Sequence, residues 1–305
     1  MPESRPAISI QNVTKRFGDV TAVSELSLDV PDGCLIGFLG PNGAGKSTTI
    51  RMIMSIIYAD VGHIDVLGHS ALDAKDRIGY LPEERGLYRR MRVRAFLRYI
   101  GRLKGMSRAA ADASAVGWLN RLNLPEALPR RCEELSKGQQ QKVQFVAAVL
   151  HDPDLIVLDE PFSGLDPVNA ALLSRVIREL HSEGRTIVFS THVLHQAEQL
   201  CDRIFLIDRG IKLLDDDIDR IRTRFRERII NVELAEGAAL PEIPGTHLGN
   251  SKSDGGPLEL HVDEDVNEQD VMRSVIEAAP IRAVSIREPS LDDIFTQLVT
   301  KGRGS

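Results

Sequence analysis

Apolar and polar residues alternate in short segments between positions 7 and 30, with Ile8, Ile10 and Val13 in one run and Leu26, Leu28 and Val30 in another. This period of two predicts antiparallel strands with one face in water. Pro31, Asp32 and Gly33 then mark a turn. Cys34 to Leu39 is a compact apolar run ending at Gly40, the pattern of a strand buried on both faces. A glycine-rich stretch and a helical pattern over Lys46 to Ile57 follow, so the order is strand, loop, helix.

From Arg94 to Leu150 the apolar spacing is mostly helical, broken at Pro125 and Pro129. Two more buried-strand runs, Leu155 to Leu158 and Thr186 to Ser190, are separated by a helix over about Val168 to Ser182. Strands alternating with crossover helices predict a parallel α/β sheet, and the helical stretch 87–150 reads as an insertion into it. Beyond Asp215, Asp216 and Asp217 the pattern changes. Arg228 to Glu233 and Leu258 to Val262 alternate as strands, joined by a Pro-, Gly- and Ser-rich connection. Asp270 to Ala279 predicts a helix, Ile281 to Arg287 a strand and Leu291 to Thr300 a last helix. The expected organisation is an α/β domain over 1–222, with an antiparallel β subdomain and a helical insertion, followed by a small α+β domain over 223–305. No internal repeat is visible.

Composition narrows the class. A chain of 305 residues, 42% hydrophobic and 27% charged, has the balance of a globular protein with a sizeable core. No apolar run reaches the roughly 18 residues of a membrane-spanning helix. Glu3, Pro2 and Pro6 stand where a secretory signal would be apolar, so a cytoplasmic protein is expected. Cys34, Cys132 and Cys201 are far apart without C-x-x-C spacing, which predicts neither a zinc site nor a disulfide framework. The net charge of -6 hides a gradient: residues 226–305 hold 8 Lys+Arg against 15 Asp+Glu, and the remainder 30 against 29. Within the near-neutral part, Arg85 to Arg108 holds nine basic residues and no acidic one, a local field suited to an anionic surface.

The candidate chemistry begins with Gly40, Pro41, Asn42, Gly43, Ala44, Gly45, Lys46 and Ser47, a full G-x-x-x-x-G-K-[ST] match between strand and helix. Glycines let the backbone wrap phosphates with N–H groups inward, and the helix that Lys46, Ser47 and Thr48 open aims its positive end at the same anion. Lys46 then reaches the β and γ phosphates and Ser47 ligates magnesium. Leu155 to Leu158 ends in Asp159 and Glu160, a strand delivering two acids to a ligand crevice. Asp159 is the candidate magnesium ligand and Glu160 the candidate general base for an attacking water. Thr191 and His192 end the next apolar strand, which places His192 for a γ-phosphate contact.

Leu135, Ser136, Lys137, Gly138 and Gln139, about 20 residues before the acid pair, resemble the LSGGQ signature of ATP-binding cassette (ABC) ATPases. That family's other landmarks occur in order: Phe17 where an aromatic stacks on adenine, Ser163 to Asp166 as the D-loop, and His192 as the switch histidine. The resemblance covers roughly residues 7–220. The segment Ile78 to Tyr88 and the ending Glu288 to Phe295 are similar to the sodium-extrusion and drug-export branch, with its C-terminal extension. Two positions depart from the pattern. Glu83 replaces the usual glutamine, which donates as well as accepts hydrogen bonds, and Lys137 replaces the signature's first glycine. Glu83 is still expected to ligate magnesium.

The resemblance implies ATP and Mg2+ as ligands. It also implies a head-to-tail homodimer in which Ser136, Gly138, Gln139 and Asp166 of one copy close over ATP on the phosphate loop of the other. It implies a separate integral-membrane permease as partner, with this chain peripheral at the cytoplasmic face of the membrane. Arg94, Arg98 and Arg102 recur at i, i+4 and i+8 and predict a basic stripe on the insertion. That stripe is either a solvated face or a contact with permease or anionic headgroups. The alternative function is a soluble ABC ATPase acting on ribosomes or DNA, which the acidic tail disfavours. In the tail, Asp263, Glu264, Asp265, Glu268 and Asp270 form either a cation sensor or a solvated, dipole-favoured helix start.

Overall fold

The computed structural model describes residues 5–84, 86–226, 228–249, 257–263, 265–287 and 289–301. Residues 1–4, Arg85, Glu264 and Glu288, which enter the expectations above, lie outside the described residues, as does part of the Pro-, Gly- and Ser-rich connection. The chain divides into two compact units, Met1–Ile218 and Asp219–Ser305.

The first unit opens with strands β1 (Ile8–Phe17), β2 (Val20–Val30) and β3 (Leu35–Leu39) and helix α1 (Lys46–Ile53). Strands β4 (Val61–Val66) and β5 (Ile78–Leu81) precede helices α2 (Val93–Leu103), α3 (Arg108–Arg121) and α4 (Lys137–Val149). Then come β6 (Leu155–Asp159), α5 (Pro167–Ser182), β7 (Thr186–Thr191), α6 (Leu194–Leu200), β8 (Arg203–Asp208) and β9 (Ile211–Asp217).

The alternation over 7–30 becomes an antiparallel sheet in the order β2-β1-β4, with Ile8, Ile10, Val13, Leu26, Leu28 and Val30 all buried. A second sheet runs β5-β6-β7-β3-β8-β9, parallel except for β9. Strands β3, β6 and β7 are buried at every position, which explains their apolar middles; Asp159, Thr186, Ser190 and Thr191 at the strand ends are polar yet buried. The two sheets share one core, in which the Phe38 and Phe205 rings meet at 4.6 Å between centroids, tilted by 30°. Pairing of Leu39 with Thr191 and of Asp159 with Ser190 sets the ends of β3, β6 and β7 level. The loops leaving these strands therefore meet at one edge, where open α/β sheets hold ligands.

Three expectations change. Helix α1 stops at Ile53 instead of Ile57, because Ser55 turns left-handed at φ 53°. The helical stretch 87–150 is not wholly an insertion: α4 packs on β5 as well as α2, and a Cβ added to Gly79 of β5 would lie 2.2 Å from Ala148 O. The arginine stripe is broken, since Arg98 forms a two-pronged bond with Asp112 of α3 at 2.9 and 2.6 Å. Arg94 and Arg102 remain exposed.

The second unit takes in α7 (Ile218–Arg224) from its second residue on, then β10 (Ile229–Leu234), β11 (Thr246–Leu248), β12 (Leu258–Val262), α8 (Glu268–Ala278), β13 (Ile281–Arg287) and α9 (Leu291–Lys301). The boundary expected at 222 falls inside α7. The strands form an antiparallel sheet in the order β11-β12-β10-β13, over a core of Ile230, Val232, Leu260, Val271 and Val275. Of the tail acids, Glu268 accepts from Arg226 at 2.8 Å and Arg228 at 3.3 Å and sits in the first turn of α8. Among the described residues no cluster of three or more His, Cys, Asp or Glu suits a metal ion, and no helix is long and apolar enough to cross a membrane.

Candidate active site

The loop from Gly40 to Gly45 is built on two backbone approaches that exclude a side chain. A Cβ on Gly40 would lie 2.2 Å from Ile207 O, and one on Gly45, at φ 108°, 2.7 Å from Ala22 O. Gly45 precedes α1 and supplies no side-chain cap, which leaves the first-turn N–H groups for an anion. Lys46 is buried and its Nζ donates to Gly40 O at 2.6 Å and Pro41 O at 3.1 Å. Burial pulls its pKa below the usual lysine value, against the carboxylates of Glu160, Asp159 and Glu83.

Asp159 ends β6 buried, accepting from the Ser190 hydroxyl, and the nearby Ser47 side chain favours its ionised form. Burial raises its carboxyl above the ordinary range, and the Ser190 bond opposes that rise. Glu160 follows in a left-handed conformation, φ 49°, which a non-glycine residue keeps only when its surroundings hold it. Its N–H faces Ser190 O and Oγ, each at 3.2 Å. Its Oε1 accepts from His192 N at 3.1 Å and lies 2.8 Å from His192 Nδ1.

A cleft of about 270 Å³ gathers Ala22, Asn42, Gly43, Gly45, Lys46, Ser47, Thr48, Glu83 and Glu160. Buried ammonium, free helix-start N–H groups and carboxylates around one cleft suit a polyphosphate with a divalent cation. The oxygen donors of Ser47, Asp159 and Glu83 are the hard ligands that magnesium takes, and the Ser47 side chain already favours the ionised form of Asp159.

The other expected residues stand elsewhere. Phe17 is exposed at the end of β1, with Lys15 Nζ 5.4 Å from its ring centroid, and does not line the cleft. Ser136 caps α4 and exchanges bonds with Gln139: the Ser136 hydroxyl accepts from Gln139 N at 3.3 Å and Gln139 Oε1 from Ser136 N at 3.1 Å. Gly138 lies against Leu165 and Gly164. Asp166 caps α5, accepting from Asn169 N at 2.9 Å and Nδ2 at 2.5 Å, bonds that hold its carboxyl below the usual range. These four form a second cluster at the starts of α4 and α5, apart from the lining of the phosphate cleft.

Sequence reading missed Ser190 and Gln141. Ser190 holds both acids, and Gln141 Nε2 donates to Pro161 O at 3.0 Å and Glu160 O at 3.4 Å. For Ser190 the signal was a hydroxyl ending an apolar strand; for Ser136 and Gln139 the S-x-x-Q capping pattern was there to be read.

Residues 23–163 match the family model "ABC transporter", and residues 217–299 match "ATP-binding protein DrrA1-3-like, C-terminal domain". The uncharacterized ABC transporter ATP-binding protein YhaQ of Bacillus subtilis is 40% identical over 96% of this chain and 98% of its own length. The daunorubicin resistance ATP-binding protein DrrA3 of Streptomyces coeruleorubidus is 31% identical over 97% of both chains. A solved ATP-binding subunit of an ABC transporter superposes with a TM-score of 0.67 at 30% identity, covering 72% of this chain and 93% of that one. A relationship running through both units makes this chain a member of the ABC transporter ATP-binding protein family, an ATPase that uses ATP with Mg2+.

Proposed function

We propose that this chain is the nucleotide-binding subunit of an ABC exporter, hydrolysing ATP to drive a separate integral-membrane permease. The observation that carries this reading is the division of the site. The cleft holds Lys46, Ser47, Glu83 and Glu160, whereas Ser136, Gly138, Gln139 and Asp166 form a cluster of their own. Two copies arranged head to tail supply both halves to each ATP, so a homodimer suffices.

In this reading the N–H groups of Gly43 to Thr48 wrap the phosphates and Lys46 Nζ turns from the loop carbonyls to the β and γ oxygens. Ser47, Asp159 and Glu83 hold Mg2+, which supplies neutralising charge to the triphosphate. Glu160 takes a proton from water as the water oxygen attacks the γ phosphorus and ADP leaves. Ser190 and His192 fix the Glu160 carboxylate for that transfer. Ser136 and Gly138 of the second copy donate to the γ phosphate, and Phe17 stacks on adenine.

The chain is peripheral to the cytoplasmic face of the membrane through its permease. Kinship with a daunorubicin resistance protein through both units supports an organic drug as cargo over sodium. The acidic balance of residues 226–305 speaks against ribosomes or DNA as partners. Pull-down from detergent-solubilised membranes should recover a multi-span protein, and the reconstituted pair should hydrolyse ATP faster with amphiphilic drugs. Recovery of ribosomes or DNA, or stimulation by sodium alone, would overturn this reading.

A further inference from the structure

Helix α4 carries two amides where a buried helix face calls for apolar residues. Gln141 and Gln144 lie one turn apart, 3% and 5% exposed, beside Val143, Phe145 and Val146. A buried amide is costly to leave unpaired, and methionine would fill the same space without that demand. Their partners give the reason. Gln141 Nε2 donates to the carbonyls of Glu160 and Pro161, and Gln144 Nε2 to Glu84 O at 3.3 Å, a bond kept although Gln144 Oε1 is buried with no hydrogen-bond partner among the described residues.

Those carbonyls belong to the two loops that bring carboxylates to the phosphate cleft, one bearing Glu160 and the other Glu83. Glu160 is gripped from both sides of its left-handed backbone, at N–H by Ser190 and at C=O by Gln141. The same helix begins at Ser136 and Gly138. One rigid element thus joins the signature residues to both acid-bearing loops of its own chain.

We propose that Gln141 and Gln144 are positioning residues that couple the two ATP sites of the dimer. This rests on the head-to-tail reading above, in which Ser136 meets the ATP held by the second copy. Movement of α4 as it engages that ATP is passed through the two amides to Glu160 and Glu83, which act on the first. Each ATP then sets the geometry that hydrolyses the other, and hydrolysis becomes cooperative.

The test uses the full chain with Gln141→Met and Gln144→Met, singly and together. ATP binding to dilute protein is followed with a fluorescent ATP analogue, hydrolysis against ATP concentration, and folding by thermal scan. The double variant should keep its ATP affinity, lose only a little in melting temperature for the carbonyls left without a partner, and lose about tenfold in kcat, with the Hill coefficient falling from above 1 to about 1. Native kcat and Hill coefficient in the double variant would overturn the coupling, as would loss of ATP affinity and melting temperature in step with kcat. A Glu160→Gln control distinguishes the two readings. If it stays monomeric with ATP, pairing and coupling fall together; if it dimerises while the methionine variants behave as native, the coupling alone falls.

Discussion

His192 holds Glu160 by one oxygen: its N–H donates to Oε1 at 3.1 Å, and its ring Nδ1 lies 2.8 Å from the same atom. The second carboxylate oxygen is not engaged by His192, and Glu160 lines the cleft beside Lys46 and Ser47. In Glu160→Gln the amide oxygen still accepts from the His192 N–H, so the geometry survives and the basic group does not. We expect unchanged ATP affinity, turnover reduced by about 10²-fold or more, and an ATP-bound dimer on size exclusion. Turnover within a few-fold of native would remove Glu160 from the role of base.

Lys46 makes a second prediction. Its buried ammonium is committed to Gly40 O and Pro41 O, neutral acceptors that a triphosphate would replace with anionic ones. Lys46→Met keeps the volume and removes the charge. Losing a hydrogen bond to a charged group costs about 1.5–3 kcal/mol, so ATP affinity measured by calorimetry should fall by roughly 10- to 150-fold. Unfolding curves should stay close to native, since the loop geometry rests on Gly40 and Gly45.

How far the sequence carries follows from where each partner lies. Strands β3, β6 and β7 were legible because burial on both faces leaves mostly apolar residues, with polar ones confined to the strand ends, and the phosphate loop because its spacing is local. Helix α4 misled the reading of 87–150 because Gln141, Lys142 and Gln144 are polar yet buried. Their partners, carbonyls of Pro161, Leu122 and Glu84, come from segments 20 or 60 residues away. No local period encodes such a bond. Ser190 is another case, visible as a strand-end hydroxyl but tied to Asp159 and Glu160 only by sheet register. Likewise the spacing of Arg94, Arg98 and Arg102 defines a helix face without revealing an acid on the neighbouring helix.

That acid, Asp112, gives a third prediction. The hydrogen bonds from Arg98 hold the Asp112 carboxyl below its usual range. A carboxyl depressed in the folded state contributes stability above its unfolded pKa and loses it as pH falls through the folded one. Arg98→Met should therefore lower the melting temperature near neutral pH and lose that effect in acid. Arg94→Met, at an exposed position that acts on Asp112 by charge alone and not by this bond, should lower it far less. For membrane recruitment the order reverses: the exposed Arg94 and Arg102 should matter, measured by sedimentation with anionic vesicles, and Arg98 should not.

His151 gives the fourth. It follows α4, with Nε2 3.1 Å from Ile78 O, an oxygen that also accepts from Lys104 Nζ at 2.8 Å. Its Nδ1 is buried with no hydrogen-bond partner among the described residues. Burial, reinforced by the Lys104 charge, lowers its pKa to about 4. Above an unfolded value of about 6.5 both states are neutral and the residue adds no pH dependence. As pH falls below that, the unfolded chain takes a proton that the folded one refuses, so stability declines until the folded pKa is passed. Between about pH 7 and about pH 5 the loss amounts to about 2 kcal/mol. His151→Gln keeps a donor for Ile78 O and removes the titration. Urea unfolding at the two pH values should show the native chain weakened in acid and the variant weakened less by that amount; equal slopes in both would show that His151 is already charged in the fold.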